Sequence, residues 1–433
     1  MNQSFYPKDL AQFTFEKLKA ANLQGHEHSS WLREDLLERL FSVCYQASLS
    51  TIEGRPVTCR LIMSSPEIFE QLAVGGLHCL RFAQHSDFSR QELRRLSTAA
   101  DYTRSLLGIC SLSGKVSIWG IVHSGSKWLH ALQGGRASAP EMPDCLVVNI
   151  TGPGHLEILW GTTVIAELVD GELAEFSTNV FRSKWLQNTF SEIRAERQIL
   201  HRAAKSKAPT VWAELDPDLT RIIDQHMTQR VIAAMRAYRH GGTLLMIPPE
   251  KTSQLTTKNP FVSFKHIFVE NEHRARFRTL IVSVMNRLAE IGAGSKVPVG
   301  WKDYQLTTDT EIGMLDEAIF ELAHLIAALS VSDGAVVLSK RFEPLGFGAE
   351  IHCDTVGGVQ VARALDLEGR RKVLESTNRV GTRHSSVYRF CQECKDCLAI
   401  VVSQDGAVQF VRFDDGVVTC WNHRSSFEFS TDF

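Results

Sequence analysis

The 433-residue sequence has almost no net charge and no long uninterrupted hydrophobic run. Lys and Arg total 47 and Asp and Glu total 49, so the formal net charge is −2. A chain so nearly neutral has no overall field to attract nucleic acid or anionic lipid. The most apolar stretch, residues 315–338, is interrupted by Asp316, Glu317, Glu321, His324 and Asp333, which a helix within a bilayer would not tolerate. We therefore expect no nucleic-acid partner and no membrane segment.

Other common signals are missing too. The N-terminal residues lack the basic and then apolar order of a secretory signal, which predicts a cytoplasmic protein. Ten cysteines without such a signal indicate reduced thiols and not a disulfide framework. The sequence contains no Walker-type phosphate loop, no His-Glu-x-x-His helix and no Gly-x-Ser-x-Gly turn. These absences argue against P-loop NTPases, zincin proteases and typical α/β-hydrolases.

Hydrophobic periodicity divides the chain into regions of different character. Residues 1 to 110 are expected to be mainly helical, and short β-rich runs after Lys115 predict a sheet. Helices are expected at 191–204 and 219–238, followed by a buried strand at 243–247 that Pro248 stops. The predicted divisions are an N-terminal region over 1–249, a linker and long helix over 250–308, and a last unit over 309–433. The predicted fold class is mixed α/β, with a central mixed sheet flanked by helices in the last unit.

Three short stretches of the last unit could carry chemistry. Asp333 and Gly334 lie between a predicted helix and an apolar strand, where a carboxylate could meet a metal or phosphate, although Asp-Gly is also a common turn pair. Residues 381–386, Gly-Thr-Arg-His-Ser-Ser, precede a predicted helix, so its free N–H groups and two basic side chains could bind a polyphosphate. Plain helix capping is the alternative. A buried strand ends at Ser403, close to Asp405, where ligands of α/β sheets collect.

In this order the three stretches resemble the signatures of the diadenylate cyclase (DAC) domain. Those signatures are a DGA motif, matched by Asp333 to Ala335, a GTRHR motif, matched in part by Gly381 to Ser385, and a strand that ends in Ser followed by acids. This resemblance covers residues 309–433. Residues 1–249 are similar to the sensor-type (DACNV-like) domain that precedes the cyclase in one group of such proteins.

The resemblance implies condensation of two ATP molecules into cyclic di-AMP with release of two pyrophosphates, assisted by Mg²⁺ or Mn²⁺. It implies catalytic roles for Asp333, Arg383 and His384, and metal ligation by Asp333 and Asp405. The implied nucleotide contacts come from Gly334, Ala335, Ile351, Gly381, Thr382, Ser385 and Ser403. Because one domain holds one ATP, the reaction requires a homo-oligomer, at least a face-to-face dimer of the domain.

Two departures from the family pattern keep a second interpretation open. Ser385 stands where the family has the second arginine of GTRHR, which removes a guanidinium from the triphosphate site, and Arg389 one helical turn later could compensate. The interval between Asp333 and Arg383 is also long, with residues 353–378 forming an inserted polar segment. The alternative is therefore a catalytically degenerate, DAC-like regulatory protein that binds nucleotide without cyclising it.

Cys391, Cys394 and Cys397 form a C-x-x-C-x-x-C run. With Cys353 or Cys420 they could make a four-thiolate zinc or iron–sulfur site. Because the first two thiols lie on one helical face, where cysteine is common as a small core residue, we favour a structural role for them.

Overall fold

The computed structural model describes residues 4–20, 33–70, 77–112, 114–125, 128–129, 135–136, 142–169, 171–174, 179–238, 240–257, 261–352, 359–375, 381–404 and 406–423. The chain forms two compact units. Unit 1 comprises Met1–Leu132, Ala137–Phe176 and Ser426–Phe433, and unit 2 comprises Gln133–Arg136 and Ser177–Ser425. Both units combine helices with a sheet, so the α/β fold class predicted from the sequence is confirmed.

Unit 1 is built on an eight-stranded sheet in the order β10-β9-β8-β7-β3-β5-β6-β4. Its helices are α1 Pro7–Ala20, α2 Glu34–Ser48, α3 Glu67–Glu70 and α4 Arg90–Leu96. Its strands are β1 Thr51–Ile52, β2 Arg55–Pro56, β3 Cys59–Met63, β4 His78–Asp87, β5 Ser105–Leu112, β6 Lys115–His123, β7 Leu146–Gly152, β8 His155–Trp160, β9 Thr163–Val169 and β10 Glu172–Ala174. Strands β1 and β2 pair with each other outside the main sheet.

The sheet of unit 1 begins earlier in the chain than the sequence predicts. Strands β6 to β9 confirm the predicted β-rich runs after Lys115, but β3, β4 and β5 lie in the region predicted to be mainly helical, and that prediction is wrong there. The reason is clear for β3, whose five residues are all buried. A strand covered on both faces shows no alternation, so its periodicity cannot be told from that of a buried helix segment.

The core of unit 1 lies on both faces of its sheet. Leu61 of β3 packs in one apolar cluster with α1, α2 and α4, and Ile62 packs in a second cluster with Trp119. Arg60, on the same face as Ile62, is completely buried, and its three guanidinium nitrogens have no hydrogen bond within the described part of the chain. Burial lowers the pKa of Arg60, and the negative charge of Glu157 opposes that effect.

Unit 2 contains a nine-stranded sheet in the order β12-β14-β13-β11-β17-β18-β19-β15-β16. Its strands are β11 Gly242–Ile247, β12 Val262–Ile267, β13 Ala335–Ser339, β14 Pro344–Ile351, β15 Val361–Ala364, β16 Lys372–Glu375, β17 Leu398–Val402, β18 Val408–Asp414 and β19 Val417–His423. Its helices are α5 Lys184–Thr189, α6 Ser191–Lys205, α7 Leu219–Tyr238, α8 Thr252–Thr257, α9 Arg276–Ile291, α10 Trp301–Leu306, α11 Thr310–Leu329 and α12 Thr382–Glu393.

The structure divides the chain at a different place from the boundary predicted at residue 249. Strand β11 pairs with β13 in parallel and with β17 in antiparallel orientation, so residues 242–247 form the middle of the second sheet. Helices α6 and α7 belong to the same unit. A local pattern of residues indicates a strand but not its partners, and for this reason the sequence did not show that β11 pairs with strands about 90 and 155 residues later.

Helices cover both faces of the second sheet. Helices α7, α9 and α11 pack on one face against Leu244 and Val336, whereas α12 packs on the other face against Leu245 and Val337. Phe390 of α12 is fully buried there. Truncation of such a side chain to alanine costs about 3–5 kcal/mol, so the position of α12 on the sheet is held by packing and not by the polar residues at its N-terminus.

The strand registers show which strand ends meet at each end of the second sheet. Gly242 of β11 pairs with Val402 of β17, and Ala335 of β13 pairs with Ala349 of β14. Because β11 and β13 are parallel, both begin at this end of the sheet, which we call the Asp333 end. Ile247 pairs with Ser339 at the opposite end, where β17 begins directly after Cys397, and we call it the Cys397 end.

Candidate functional site

Asp333 and Gly334 form the turn between α11 and β13 at the Asp333 end. The side chain of Asp333 is completely exposed, and Lys265 Nζ lies 4.0 Å from its Oδ2. Gly334 has a φ of +109°, and a Cβ at this position would lie 2.6 Å from the carbonyl carbon of Gly348. The turn therefore requires glycine for a close backbone contact with β14, and this contact fixes the direction in which Asp333 leaves the sheet.

Arg383 lies beside the next turn of the same end. A Cβ added to Gly241, which has a φ of +69°, would lie 2.5 Å from Arg383 Nη1, 2.9 Å from the carbonyl oxygen of Val402 and 3.2 Å from the N atom of Gln404. The first turn of α12 is thus in contact with the chain ends of β11 and β17. Within the described ranges Arg383 has no hydrogen bond or ion pair, so its guanidinium donors are available to a ligand.

Ser403 closes the turn that follows β17. Its N–H donates to the carbonyl oxygen of Ala407 at 2.8 Å, and its own carbonyl oxygen accepts from the N–H of Gly406 at 3.0 Å. These two backbone hydrogen bonds close the turn. Asp405, the second predicted metal ligand, lies outside the described residues. The N atom of Gln404, the next residue, lies 3.2 Å from the Cβ position of Gly241, so the turn after β17 adjoins Gly241.

The N-terminus of α12 has no side-chain cap from its N-cap residue. Gly381 is the N-cap residue, is exposed, and supplies no side chain to cap the helix. Ser385 N–H donates to its carbonyl oxygen at 3.1 Å. Thr382 is exposed, and the His384 ring lies 6.3 Å from the Tyr388 ring. The first N–H groups of a helix have no intrahelical acceptor, so this terminus suits an anion.

Sequence reasoning missed a second arginine near this end. Arg236, in the last turn of α7, lies beside the Ser403 turn, since a Cβ on Gly406 would be 3.4 Å from its Nε. Arg389, which the sequence suggested as a replacement for the missing arginine at position 385, is exposed one turn farther along α12. Arg236 is 147 positions away from Arg383 in the sequence, so no local motif could have revealed it.

A polar group on β12 and β14 borders Asp333 from the other side. Lys265 Nζ lies 3.2 Å from Glu350 Oε1, and His352 Nε2 lies 2.6 Å from Ser263 Oγ. Ile351 is partly buried against the core next to this group. Ala335 is buried, so its methyl group belongs to the core and it could offer a ligand only its backbone.

The donor set at this end suits a divalent cation that is shared with phosphate. No three His, Cys, Asp or Glu residues of the described ranges are grouped so that they could hold a metal ion by themselves. Mg²⁺ is commonly bound by one or two carboxylates together with substrate phosphates, and it keeps several waters. The exposed carboxylate of Asp333 fits that mode of binding, with Asp405 as the further ligand that the sequence predicts.

The cysteine run is divided between the core and its surface. Cys391, Cys397 and Cys420 are buried in the core under α12, and Cys394 is half-buried. Cys391 Sγ lies 3.6 Å from the carbonyl oxygen of Val411. Cys353 lies outside the described residues. Across the described residues the cysteines form no metal-binding group, and a structural role for Cys391 agrees with its burial.

A small cavity elsewhere in unit 2 does not contribute to this site. It lies between α5, α6 and α7, is lined by Phe190, Arg194 and Asp224 among others, and has room for about one water molecule. Asp224 is ion-paired with Arg197 in the interior, and burial raises the pKa of Asp224. Its second carboxylate oxygen has no protein partner among the described residues, which suits a bound water.

Comparison with known proteins identifies the N-terminal part of the chain. Residues 27–123 match the family model described as "Probable sensor domain DACNV". This part of the chain is similar to a sensor-type domain. The match ends at β6, so β7 to β10 of the same sheet lie outside it. It confirms the sensor-type resemblance over residues 27–123 and does not extend to residues 309–433.

The remaining comparisons carry no argument about function. The comparison with curated proteins gave no match. One similar solved structure is that of a hypothetical membrane spanning protein from Bacillus cereus, with 12% identity over 56% of this chain and 94% of that chain, at a TM-score of 0.23. At this TM-score the likeness supports neither fold nor function. Every helix in the described part of this chain is too short or too polar to cross a bilayer.

Proposed function

We propose that this protein is a diadenylate cyclase with an N-terminal sensor domain, and that it binds ATP at the Asp333 end of the second sheet. The observation that carries the proposal is the contact of Arg383 with Gly241 at the end of the sheet where Asp333 precedes β13. Two segments about 50 residues apart thus supply an acid, a cation and a helix N-terminus to one end of a sheet, and Gly241 of a third segment contacts the cation. The sensor domain supports the same family, because its name associates it with such cyclases.

The proposed reaction joins two ATP molecules. Each 3′-hydroxyl attacks the α-phosphate of the other ATP, a P–O bond forms, and pyrophosphate leaves with the electron pair of the broken bond. Arg383, His384 and the N–H groups of α12 would neutralise the triphosphate, and the Asp333 carboxylate would assist loss of the hydroxyl proton. A bound Mg²⁺ or Mn²⁺ would lower the pKa of the hydroxyl and screen the phosphates. Asp333 and Asp405 would hold that ion.

The proposed reaction also requires two copies of the domain. A single Asp333 end offers one set of phosphate donors, and the attacking hydroxyl must come from a second nucleotide held in the opposite orientation. A homodimer with the two ends facing each other satisfies this requirement through one isologous interface. The sensor domain could then control activity by permitting or preventing this encounter.

The second candidate is a regulatory protein that binds nucleotide without turnover. Ser385 favours it, since a hydroxyl replaces a fixed cation at the first turn of α12. Arg389 is exposed one turn away and gives no evidence of compensation, whereas Arg236 lies beside the Ser403 turn and could supply the missing charge. The two candidates differ in a single observable, which is formation of product.

Incubation of the full chain with ATP and Mn²⁺, followed by mass analysis, distinguishes the candidates. We expect cyclic di-AMP and pyrophosphate, and we expect Asp333→Asn to reduce the rate by at least ~100-fold, as loss of a catalytic acid or base group does. Asp396→Asn is the matched control, because Asp396 is also an exposed acid but is paired with Lys251 at the Cys397 end. ATP binding without product would favour the regulatory protein. If the chain neither bound ATP nor formed product, both candidates would be excluded.

A further inference from the structure

Cys394 and Cys397 are the first and fourth residues of a tight turn that joins α12 to β17. The N–H of Cys397 donates to the carbonyl oxygen of Cys394 at 3.0 Å, which defines a hydrogen-bonded β-turn. In such a turn the first and fourth Cα atoms lie within about 7 Å. A disulfide needs a Cα separation of about 4.4–6.8 Å, so the backbone already holds these residues near the required spacing.

The two thiols also influence each other's ionisation. Interaction with Cys397 lowers the pKa of Cys394, and interaction with Cys394 raises the pKa of Cys397. Lys251 lies close enough to lower the pKa of Cys394 further, while Glu393 and Asp396 act in the opposite direction. The positive charge of Lys340 acts on Cys397 in the direction that lowers its pKa. Cys394 is therefore suited to attack an oxidant as a thiolate, and Cys397 is suited to react with the oxidised Cys394 in a second step.

Accessibility separates this pair from the other thiols of the same core. Cys394 is half-buried, whereas Cys391 and Cys420 are completely buried. Cys391 is one helical turn before Cys394 and points into the core, with its sulfur directed to the carbonyl oxygen of Val411. An oxidant that diffuses to this face of unit 2 would reach Cys394 before any other cysteine of the run.

We propose that Cys394 and Cys397 are a redox-sensitive pair that forms a reversible disulfide on exposure to a hydroperoxide. The Cys394 thiolate attacks the peroxide, its O–O bond breaks, and Cys394 becomes a sulfenic acid as water leaves. The Cys397 thiol then attacks the Cys394 sulfur, the S–S bond forms, and the sulfenic oxygen leaves as a second water. Two thiols lose two electrons and two protons, and hydrogen peroxide is reduced to two waters. A dithiol reductant reverses the change. This proposal does not depend on the cyclase assignment.

Peptide mapping of the full chain after treatment with hydrogen peroxide tests the proposal. The protein is oxidised, its remaining thiols are alkylated with N-ethylmaleimide, and the digested peptide that contains residues 391–397 is weighed. We expect a peptide with a single alkylated cysteine, Cys391, and two hydrogens fewer at the other two, restored to three alkylated cysteines by dithiothreitol. Three alkylated cysteines after peroxide, or a disulfide that involves Cys391, would overturn the proposal.

Three variants show which thiol has which role. Cys397→Ser should stop the reaction at the Cys394 sulfenic acid, which dimedone traps, and Cys394→Ser should prevent both oxidation and trapping. Cys391→Ser is the matched control and should still form the disulfide. Dimedone labelling of Cys397 in the Cys394→Ser variant would contradict the assigned roles. Peptide mapping of the wild-type chain alone decides whether the disulfide forms. The proposal therefore stays testable even if a variant fails to fold.

Discussion

The two ends of the second sheet are made from the same strands but differ in how their polar groups are satisfied. At the Asp333 end, Asp333 is fully exposed, Arg383 has no hydrogen bond or ion pair within the described ranges, and α12 begins without a side-chain cap. At the Cys397 end, Lys251 pairs with Asp396 and the Cys394 turn closes on its own hydrogen bond. Lys265 lies 4.0 Å from the Asp333 carboxylate, so the pairing of Asp333 is long and solvent-exposed, whereas the pairs at the Cys397 end are close.

This difference indicates where a ligand is expected. Groups that already have partners must give them up before they bind anything, which costs free energy, whereas groups held by backbone contacts without partners do not. Gly334 and Gly241 provide those backbone contacts at the Asp333 end, because each position has a positive φ and a neighbour too close for a Cβ. The glycines therefore organise the site, and the guanidinium of Arg383 remains available to a ligand.

Among the variants that compare the two ends, the largest effect on ATP binding should come from Gly241→Ala. The new methyl group would lie 2.5 Å from Arg383 Nη1 and 2.9 Å from the carbonyl oxygen of Val402, so Arg383 must move. We expect ATP to bind at least ~10-fold more weakly, which corresponds to loss of about one charge-assisted contact. Titration with ATP and Mg²⁺ measures this change.

Gly416→Ala is the matched control for that variant. Gly416 also has a positive φ, of +84°, but no atom lies within 4 Å of its added Cβ. Gly416→Ala should cost about 1–2 kcal/mol of stability through the left-handed conformation, and Gly241→Ala should cost more because of its close contact with the carbonyl oxygen of Val402, both measured by denaturant unfolding. Equal loss of ATP binding in the two variants would mean that the contact with Arg383 has no part in binding.

A smaller effect is expected from Arg236→Gln. If Arg236 supplies the charge that Ser385 no longer provides, this variant should raise the KM for ATP by roughly fivefold, because one partly exposed cation near a phosphate contributes about 1 kcal/mol. Arg389→Gln should leave KM unchanged, since Arg389 is exposed and lies farther from the turn of Ser403. A larger rise in KM for Arg389→Gln than for Arg236→Gln would instead support compensation by Arg389, as the sequence suggested.

The smallest effect concerns the reactivity of the Cys394 thiol at the Cys397 end. Since the pKa of Cys394 lies below its usual value, alkylation of this thiol by iodoacetamide should persist at a pH where ordinary cysteines react slowly. Lys251→Met removes a nearby positive charge, so the pKa should rise and alkylation at neutral pH should slow about two- to threefold. Lys395→Met is the control, because Lys395 Nζ lies over the Phe413 ring, 4.7 Å from its centroid. Equal slowing in both variants would argue against a specific effect of Lys251.

For unit 2, the sequence predicted which segments form helices and strands better than it predicted which residues lie side by side in the folded chain. The helices α6, α7 and α11 and the strands β11, β13 and β17 were predictable because apolar residues recur at the helical period or form short runs bounded by Gly and Pro. The positions of Arg236, Gly241 and Lys265 beside the predicted site residues were not predictable. They depend on the register of β11 with β13 and β17 and of β12 with β14, which no local pattern encodes.

The prediction for unit 1 failed where both faces of a strand are buried. Strand β3 gives no alternation, and residues 1–110 were therefore assigned too much helix. The roles of Asp333, Arg383, His384 and Ser403 came from the resemblance to the cyclase domain and stay predictions. The structure adds to them the glycine contacts that bring their segments to one end of the sheet.

A crystal structure of the full chain with Mg²⁺ and a non-hydrolysable ATP analogue is the most direct test of the account. We expect the triphosphate between Arg383 and the turn of Asp333, with its oxygens on the N-terminus of α12 and the metal ion on the Asp333 carboxylate. An analogue bound at any other place, with the Asp333 end unchanged by saturating nucleotide, would contradict the central claim.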